Sequence, residues 1–447
     1  MKKIFLTLLF IATAFTSFSQ SIGYDTFGLQ LANEDINGTA RFTGMSGAFG
    51  ALGGNMSAVD VNPAGLTVFK NSEATISLQN INTDLNVKYF NSFANMTNNN
   101  LNLSQAGGVL IFENSNKFWS KAALGVNYSL VKDFDNSYLI EGNSGLSEFN
   151  VDPFLNFDGD NTNDVYYDNV DKQVMLNTTT GTNSKTTFTL AMQYDKTISY
   201  GVSMIFHSVD YFQHIQFKEY NHDNSNNTLD AILNQDLAVT GNGFGFNFGI
   251  LAKPNPNFRL GIAYQTPIWY NLSEEFHEDT TIYLSNTNDV YTDNPENSIY
   301  DYKIKTTGKA TGSLAYVFGK QGLLSLDYIR KSYNNILIKP QADFNPENNT
   351  IKQDLRATNE IRIGGEYRYK NLSLRAGFHT EENPIKTITK NTEGYSLGLG
   401  IRLSETTKLD LSYANTTSKD YYSFLQKNDT SLDFNQSKIN ATITIGL

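Results

Sequence analysis

The chain has 447 residues, 18% charged and 13% aromatic, with no cysteine, a net charge of −11 and a mean hydropathy of −0.37. Without cysteine there can be no disulfide scaffold, no thiolate-bound zinc or iron–sulfur centre and no thiol nucleophile. The acidic balance offers no basic surface to a nucleic acid, and 25 Tyr and 30 Phe against 2 Trp is an unusual ratio for so polar a chain.

Residues 1–20 open with Lys2 and Lys3, continue through an apolar run from Ile4 to Phe15, and end on Ser17-Phe18-Ser19-Gln20. That is the pattern of a secretory signal peptide. A run of about 12 apolar residues is too short to anchor in a bilayer as a helix. Its removal would delete two lysines and no acid, taking the charge from −11 to −13. No later run approaches the ~18 consecutive apolar residues of a membrane-spanning helix. Export without cysteine fits a bacterial envelope.

Residues 21–71 show no regular alternation. They carry Arg41-Phe42-Thr43-Gly44-Met45-Ser46-Gly47-Ala48-Phe49-Gly50-Ala51-Leu52-Gly53-Gly54, then Ser57-Ala58 and Asn62-Pro63-Ala64-Gly65-Leu66. Pro fixes φ and lacks a donor, while Asn and Gly favour turns, so this block should fold tightly. The turn could also simply lead into the first strand. The glycines lack nucleotide-loop spacing and a following Lys-Ser/Thr, and Ser46 misses the nucleophile-elbow pattern by its last residue. Close packing of a small-residue segment is the expectation.

From about residue 72 the chain alternates apolar with small or polar residues, the period-two mark of strands with one apolar face. Ile361, Ile363, Tyr367 and Tyr369 oppose Arg362, Gly364, Glu366 and Arg368; Ile439, Ala441, Ile443, Ile445 and Leu447 oppose Asn440, Thr442, Thr444 and Gly446. Fourteen strands are predicted, at 73–84, 103–113, 118–132, 184–195, 199–219, 236–253, 257–275, 298–319, 322–338, 351–369, 372–381, 391–403, 407–424 and 435–447. Connections after even-numbered strands are short, as at Lys320–Gln321 and Lys370–Asn371. Those after odd-numbered strands are mostly longer and polar, the longest spanning about 133–183. A soluble sandwich or propeller also alternates. Long strands, aromatic strand ends and two classes of loop length instead predict an all-β transmembrane antiparallel barrel. Trp119 and Trp269 would then lie at opposite membrane interfaces. Closure leaves no unpaired edge in lipid, and fourteen strands enclose more space than side chains alone fill.

The N-terminal block, with Gly241-Asn242-Gly243-Phe244-Gly245-Phe246-Asn247-Phe248-Gly249-Ile250 and Lys253-Pro254-Asn255-Pro256-Asn257-Phe258-Arg259-Leu260-Gly261, resembles the FadL/TodX family of outer-membrane transporters of hydrophobic compounds. Beside the signal peptide read over 1–20, the resemblance implies an N-terminal hatch over 21–71 and a fourteen-stranded barrel over 72–447. It also implies passive uptake of compounds such as long-chain fatty acids or aromatic hydrocarbons. Arg41, Phe42, Asn62, Pro63, Ala64 and Gly65 would belong to the hatch. Some barrels of this kind instead scaffold secretion or surface-protein complexes.

Arg259, Arg362, Arg368, Arg375 and Arg402 fall on the polar phase of their strands, with Asp327, Glu366 and Asp410 on theirs. An inward arginine could meet a carboxylate headgroup or pair with an acid and brace the wall. Leu146, Phe149, Phe154, Leu155 and Phe157 cluster in the longest connection, where they could dock an apolar compound or fold the loop into a lid. Asp158–Asp164 is rich in carboxylates but misses the EF-hand pattern at Thr162 and Asn163. The five histidines include no metal-spaced pair, and no triad is suggested. The sequence therefore predicts no enzyme, cofactor, metal or nucleic-acid partner. It predicts a monomeric barrel in the bacterial outer membrane whose partners are membrane lipids and an apolar small molecule.

Overall fold

The computed structural model describes residues 22–113, 118–154, 166–424 and 427–447, so the predicted signal peptide lies outside it. Each strand hydrogen-bonds to its sequence neighbour and the last pairs with the first, from Glu73 opposite Gly446 to Tyr89 opposite Thr430. Several strands are broken into segments that continue along one line, which leaves fourteen staves. We number them β1 (Glu73–Tyr89), β2 (Ser92–Glu113), β3 (Trp119–Asp133 with Asn136–Gly142), β4 (Asn169–Tyr194) and β5 (Ile198–His222). Next come β6 (Thr228–Ala252), β7 (Phe258–Gln265 with Trp269–Leu284), β8 (Val290–Asp293, Ser298–Lys305 and Lys309–Phe318) and β9 (Gly322–Ser332 with Leu337–Lys339). The wall ends with β10 (Ala357–Tyr369), β11 (Leu372–Glu381), β12 (Thr392–Arg402), β13 (Thr407–Phe424) and β14 (Lys427–Gly446). The barrel predicted from alternation is present, stave for stave.

The predicted apolar phase faces outward. Ile76, Leu124, Ile250, Ile262, Leu324 and Ile443 are all exposed on the outer wall, as lipid contact requires. Trp119 and Trp269 also face outward, at opposite ends of this belt. Trp119 stands edge-on to Tyr194 at 5.6 Å.

Strand length corrects the sequence reading. Residues 85–102 are not a loop: β1 and β2 turn tightly at Phe90-Asn91, with Phe90 at φ 46°. Much of 133–183 and of 220–235 is likewise strand, and β4 alone has 26 residues, where about 9–11 suffice to cross lipid. The cause is an inversion of amphipathic phase. Along β1 the outward residues run Ile76 and Leu78, then Asn80, Asn82, Asp84, Asn86 and Lys88; the inward ones run Thr75, Ser77 and Gln79, then Ile81, Leu85, Val87 and Tyr89. β5 does the same, from outward Tyr200, Met204 and Phe206 to inward Val209, Tyr211, Ile215 and Phe217. Above the lipid the apolar side chains turn into the lumen, so alternation fades where one phase hands over to the other.

A second correction concerns the start of β10. Residues 345–354 form a helix, not strand, because Pro346 and Glu347 occupy its first turn, where a missing donor and a negative charge are both tolerated.

Candidate functional site: a plugged lumen with an apolar outer half

Residues 22–72 lie inside the barrel. They form a helix α1 (Tyr24–Ala32), a single turn α2 (Ala40–Thr43) and two 3₁₀ turns, Met56–Asp60 and Pro63–Val68. Phe42, Met45, Phe49 and Leu52 make a small core of this plug, almost without solvent exposure. Asn62 caps the second 3₁₀ turn by accepting from the Ala64 amide at 3.1 Å, and Pro63 fills its first position. The Asn62 amide group donates to Gly50 O at 2.7 Å and, across to β6, to Ile250 O at 3.1 Å.

The wall makes room for that turn. A Cβ on Gly249 would collide with the Asn62 carbonyl and Pro63, and one on Gly201 would collide with Ala64. Two glycines on the inward phase of neighbouring strands therefore let the plug backbone reach the barrel.

Buried ion pairs tie the plug down on several sides. Arg41 meets Glu366 of β10 with both arms of its guanidinium, at 2.8 and 3.3 Å, and donates to Gly54 O at 3.1 Å. Glu366 also takes Arg368 at 2.5 Å and Arg375 at 2.7 Å, and Arg375 reaches Asp410 at 2.6 Å. Glu34 accepts from Lys185 of β4 at 2.9 Å and Lys309 of β8 at 2.8 Å. Across the seam between β1 and β14, Asp35 takes Lys438 at 3.0 Å and the Asn37 carbonyl takes Gln79 at 3.1 Å. Gly38 O accepts from Asn440 at 2.6 Å and from Ser104 of β2 at 3.1 Å, while the Ala40 amide donates to Thr442 at 2.7 Å.

Burial would raise the Glu34 carboxyl, but Lys185 and Lys309 outweigh it and hold the group well below its ordinary 4.5. Asp35, equally buried, is held below 3.8 chiefly by Lys438. Carboxyls depressed in the folded state contribute stability that is complete above their ordinary values and is lost as pH falls through the depressed ones. Hydrogen exchange of residues 22–40, corrected for its intrinsic pH dependence, should therefore stay flat from neutral pH to about 4.5 and rise only below it. A rise already present at pH 6 would rule out these two carboxyls as the anchors.

Of the five arginines predicted to face inward, Arg362, Arg368 and Arg375 are paired with acids and brace the wall; Arg362 meets Glu360 at 2.5 Å. Arg402 is exposed at the short-turn rim. Arg259 is half-buried, donates to Leu52 O of the plug at 2.7 Å, and has no carboxylate partner among the described residues. The plug's own anchors Glu34 and Asp35 escaped notice because no periodicity marks their segment. Lys185, Lys309 and Lys438 lie on the same inward phase that revealed the arginines, and that phase was the available signal.

Outward of the plug, the lumen carries two apolar clusters. One surrounds α1: Phe27 stands 5.1 Å from Tyr211 and Tyr24 5.1 Å from Tyr302, with Ile304 and Ile336 against Gly28. The other, which shares strands β5 and β6 with the first, joins Leu85, Val87, Ile140, Met175, Ile215 and Phe217, and no residue of the plug belongs to it. The long connection after β3 folds over this cluster. Glu219 accepts from the amides of Glu148 at 3.0 Å and Phe149 at 2.9 Å, and the Phe149 ring lies 6.3 Å from Phe217. Leu146 and Phe154 stay exposed, Phe154 edge-on to Tyr291 at 5.7 Å. Leu155, Phe157 and the carboxylate-rich 158–164 lie outside the described residues.

A closed barrel with an apolar outer belt, polar contacts to an internal N-terminal plug and long loops on one rim defines a plugged outer-membrane transport barrel. The chain belongs to the outer membrane protein transport family (OMPP1/FadL/TodX), which it matches over residues 21–445. Among solved structures it is similar to a Pseudomonas aeruginosa FadL homologue at 13% identity and TM-score 0.59, covering 93% of this chain and 99% of that one. The Pseudomonas putida toluene transporter TodX compares at 13% and 0.58, with 93% and 100% covered. The Ralstonia pickettii toluene transporter TbuX compares at 14% and 0.54, with 92% and 99% covered. These likenesses establish the fold. No curated protein sequence matches the chain.

Proposed function

We propose that this barrel admits apolar small molecules, long-chain fatty acids or aromatic hydrocarbons among them, by passive diffusion, and that residues 21–71 act as its hatch. The observation that carries the reading is the inversion of phase, which gives the extracellular half of the lumen an apolar lining clear of the plug. Apolar compounds gain by leaving water for such a surface. Leu146 and Phe154, exposed on the folded loop above it, suit a first contact. For a substrate with a carboxylate, Arg259 is the arginine suited to meet it, since Arg362, Arg368 and Arg375 are occupied by acids. The solved toluene transporters of the same fold support the substrate class.

The test is uptake of radiolabelled oleate and toluene by cells that carry the protein, lack it, or carry it without residues 41–65. Faster uptake with the protein, altered again by the deletion while the barrel still assembles, is the expected result. Equal uptake across the three strains would end the proposal.

A further inference from the structure

We propose that Lys303 and Lys339 form a binding site on the outer wall for the phosphate of an outer-leaflet glycolipid. The two residues are directly opposed on β8 and β9. Their neighbours Tyr302, Ile304 and Ile338 are buried inward, so both lysines project outward, where they are exposed. On the other flank Lys303 is paired with Asn271 of β7, and Lys305 with Trp269. The pair therefore sits one outward row above the tryptophan that marks the extracellular edge of the lipid belt, at the depth of lipid headgroups.

Three features at this place point to an anion. Like charges directly across a strand pair repel and destabilise the sheet, yet among the described residues neither ammonium has an ion-pair partner. The wall is hollowed here into an open depression of about 680 Å³, with Leu272, Tyr302 and Pro340 at its base and Thr240, Asn271, Ser273, Asp301, Lys303 and Lys339 as its polar groups. That volume exceeds what a bare ion needs and suits a phosphorylated sugar, with hydroxyl and amide groups available for its oxygens. Finally, two lysines (303 and 339) line the cavity against one carboxylate, Asp301, with Lys305 one outward position nearer the membrane, on a chain whose net charge is −11. Asp301 stands one outward position further from the membrane, opposite Ser273, and leaves the membrane side of the cavity to the ammonium groups. A lipid phosphate there would lie between the lysines, with its acyl chains descending past Trp269 along the apolar belt. This site faces away from the lumen and does not depend on the transport reading.

The test is a titration of the detergent-folded full chain with lipid A, read by native mass spectrometry. The double variant K303Q/K339Q should bind lipid A about tenfold more weakly, the loss expected for two charge-assisted contacts. K370Q, in an exposed turn on the opposite rim, should bind as the unaltered protein does. Dephosphorylated lipid A should bind the unaltered protein as weakly as lipid A binds the double variant. This comparison needs no substitution, so it stands even if the double variant fails to fold. Equal affinity for lipid A and its dephosphorylated form would overturn the proposal. So would displacement of lipid A by equimolar inorganic phosphate, which would make this a site for the free anion.

Discussion

Replacing Glu366 with glutamine is expected to loosen the plug around Arg41 while the barrel stays closed. Glu366 is almost fully buried and holds three guanidiniums together, Arg41 from the plug and Arg368 and Arg375 from the wall. Removing one partner of a buried ion pair leaves uncompensated charge and costs about 3–5 kcal/mol. With Glu366 neutral, Asp410 reaches Arg375 alone, and the Arg41 side chain, being on the plug, is the one free to leave. The strand ladder does not involve this carboxylate, so the loss falls on plug docking. The chain contains no cysteine, so S46C gives a single label site against an empty background. Ser46 is buried against Ser396, at 2.9 Å. Maleimide labelling at this position should accelerate roughly a hundredfold in E366Q, the factor that about 3 kcal/mol of local opening implies. Heat-modifiable gel mobility should not change. Unaltered labelling would mean that Arg41 is not an anchor.

The second large effect is expected in the lumen. Met175 and Phe217 lie in the apolar cluster that includes no plug residue, in the part of the barrel that extends beyond lipid. Burying a side chain of this size against an apolar surface is worth about 1.5–3 kcal/mol, and an apolar compound that parts this fully buried cluster replaces the same contact. Substituting both with glutamine should lower uptake of toluene or oleate about tenfold or more. F212Q provides the control. Phe212 occupies the same strand but points outward, so its loss leaves the lumen unchanged. If F212Q and the lumen pair reduce uptake equally, the cluster is not on the path.

How much of this could be read in the sequence depended on which side of each residue met a uniform solvent. Between Trp119 and Trp269 one face of every strand meets lipid. Ile361, Ile363, Tyr367 and Tyr369 therefore announced their phase, and with it the inward direction of Arg362 and Glu366. Beyond the lipid both faces are mixed, and residues 85–102 read as a polar loop although all but the turn residues Phe90 and Asn91 are paired in register. The arginines were legible as inward but not as partnered, because pairing depends on which strands are neighbours. The plug was legible as an exception to alternation and through its Asn-Pro-Ala-Gly turn. Its docking was not legible, because contacts such as Arg41 with Glu366 or Glu34 with Lys309 join residues hundreds of positions apart. Gly201 and Gly249 read as ordinary strand glycines until Asn62, Pro63 and Ala64 were found against them.

The segment 35–40 has a consequence for how the barrel is made. The seam joins β1 to β14, the two strands farthest apart along the chain, and so the pairing with the greatest loop-closure cost. Asp35, Asn37, Gly38 and Ala40 grip Lys438, Asn440 and Thr442 on β14 and also Gln79 on β1. They precede β1 by only a few tens of residues. The first strand thus carries beside it a short template with donors and acceptors set for the last. The plug thus binds both strands of the seam, so the pairing that closes the cylinder is held from inside as well as by its own ladder.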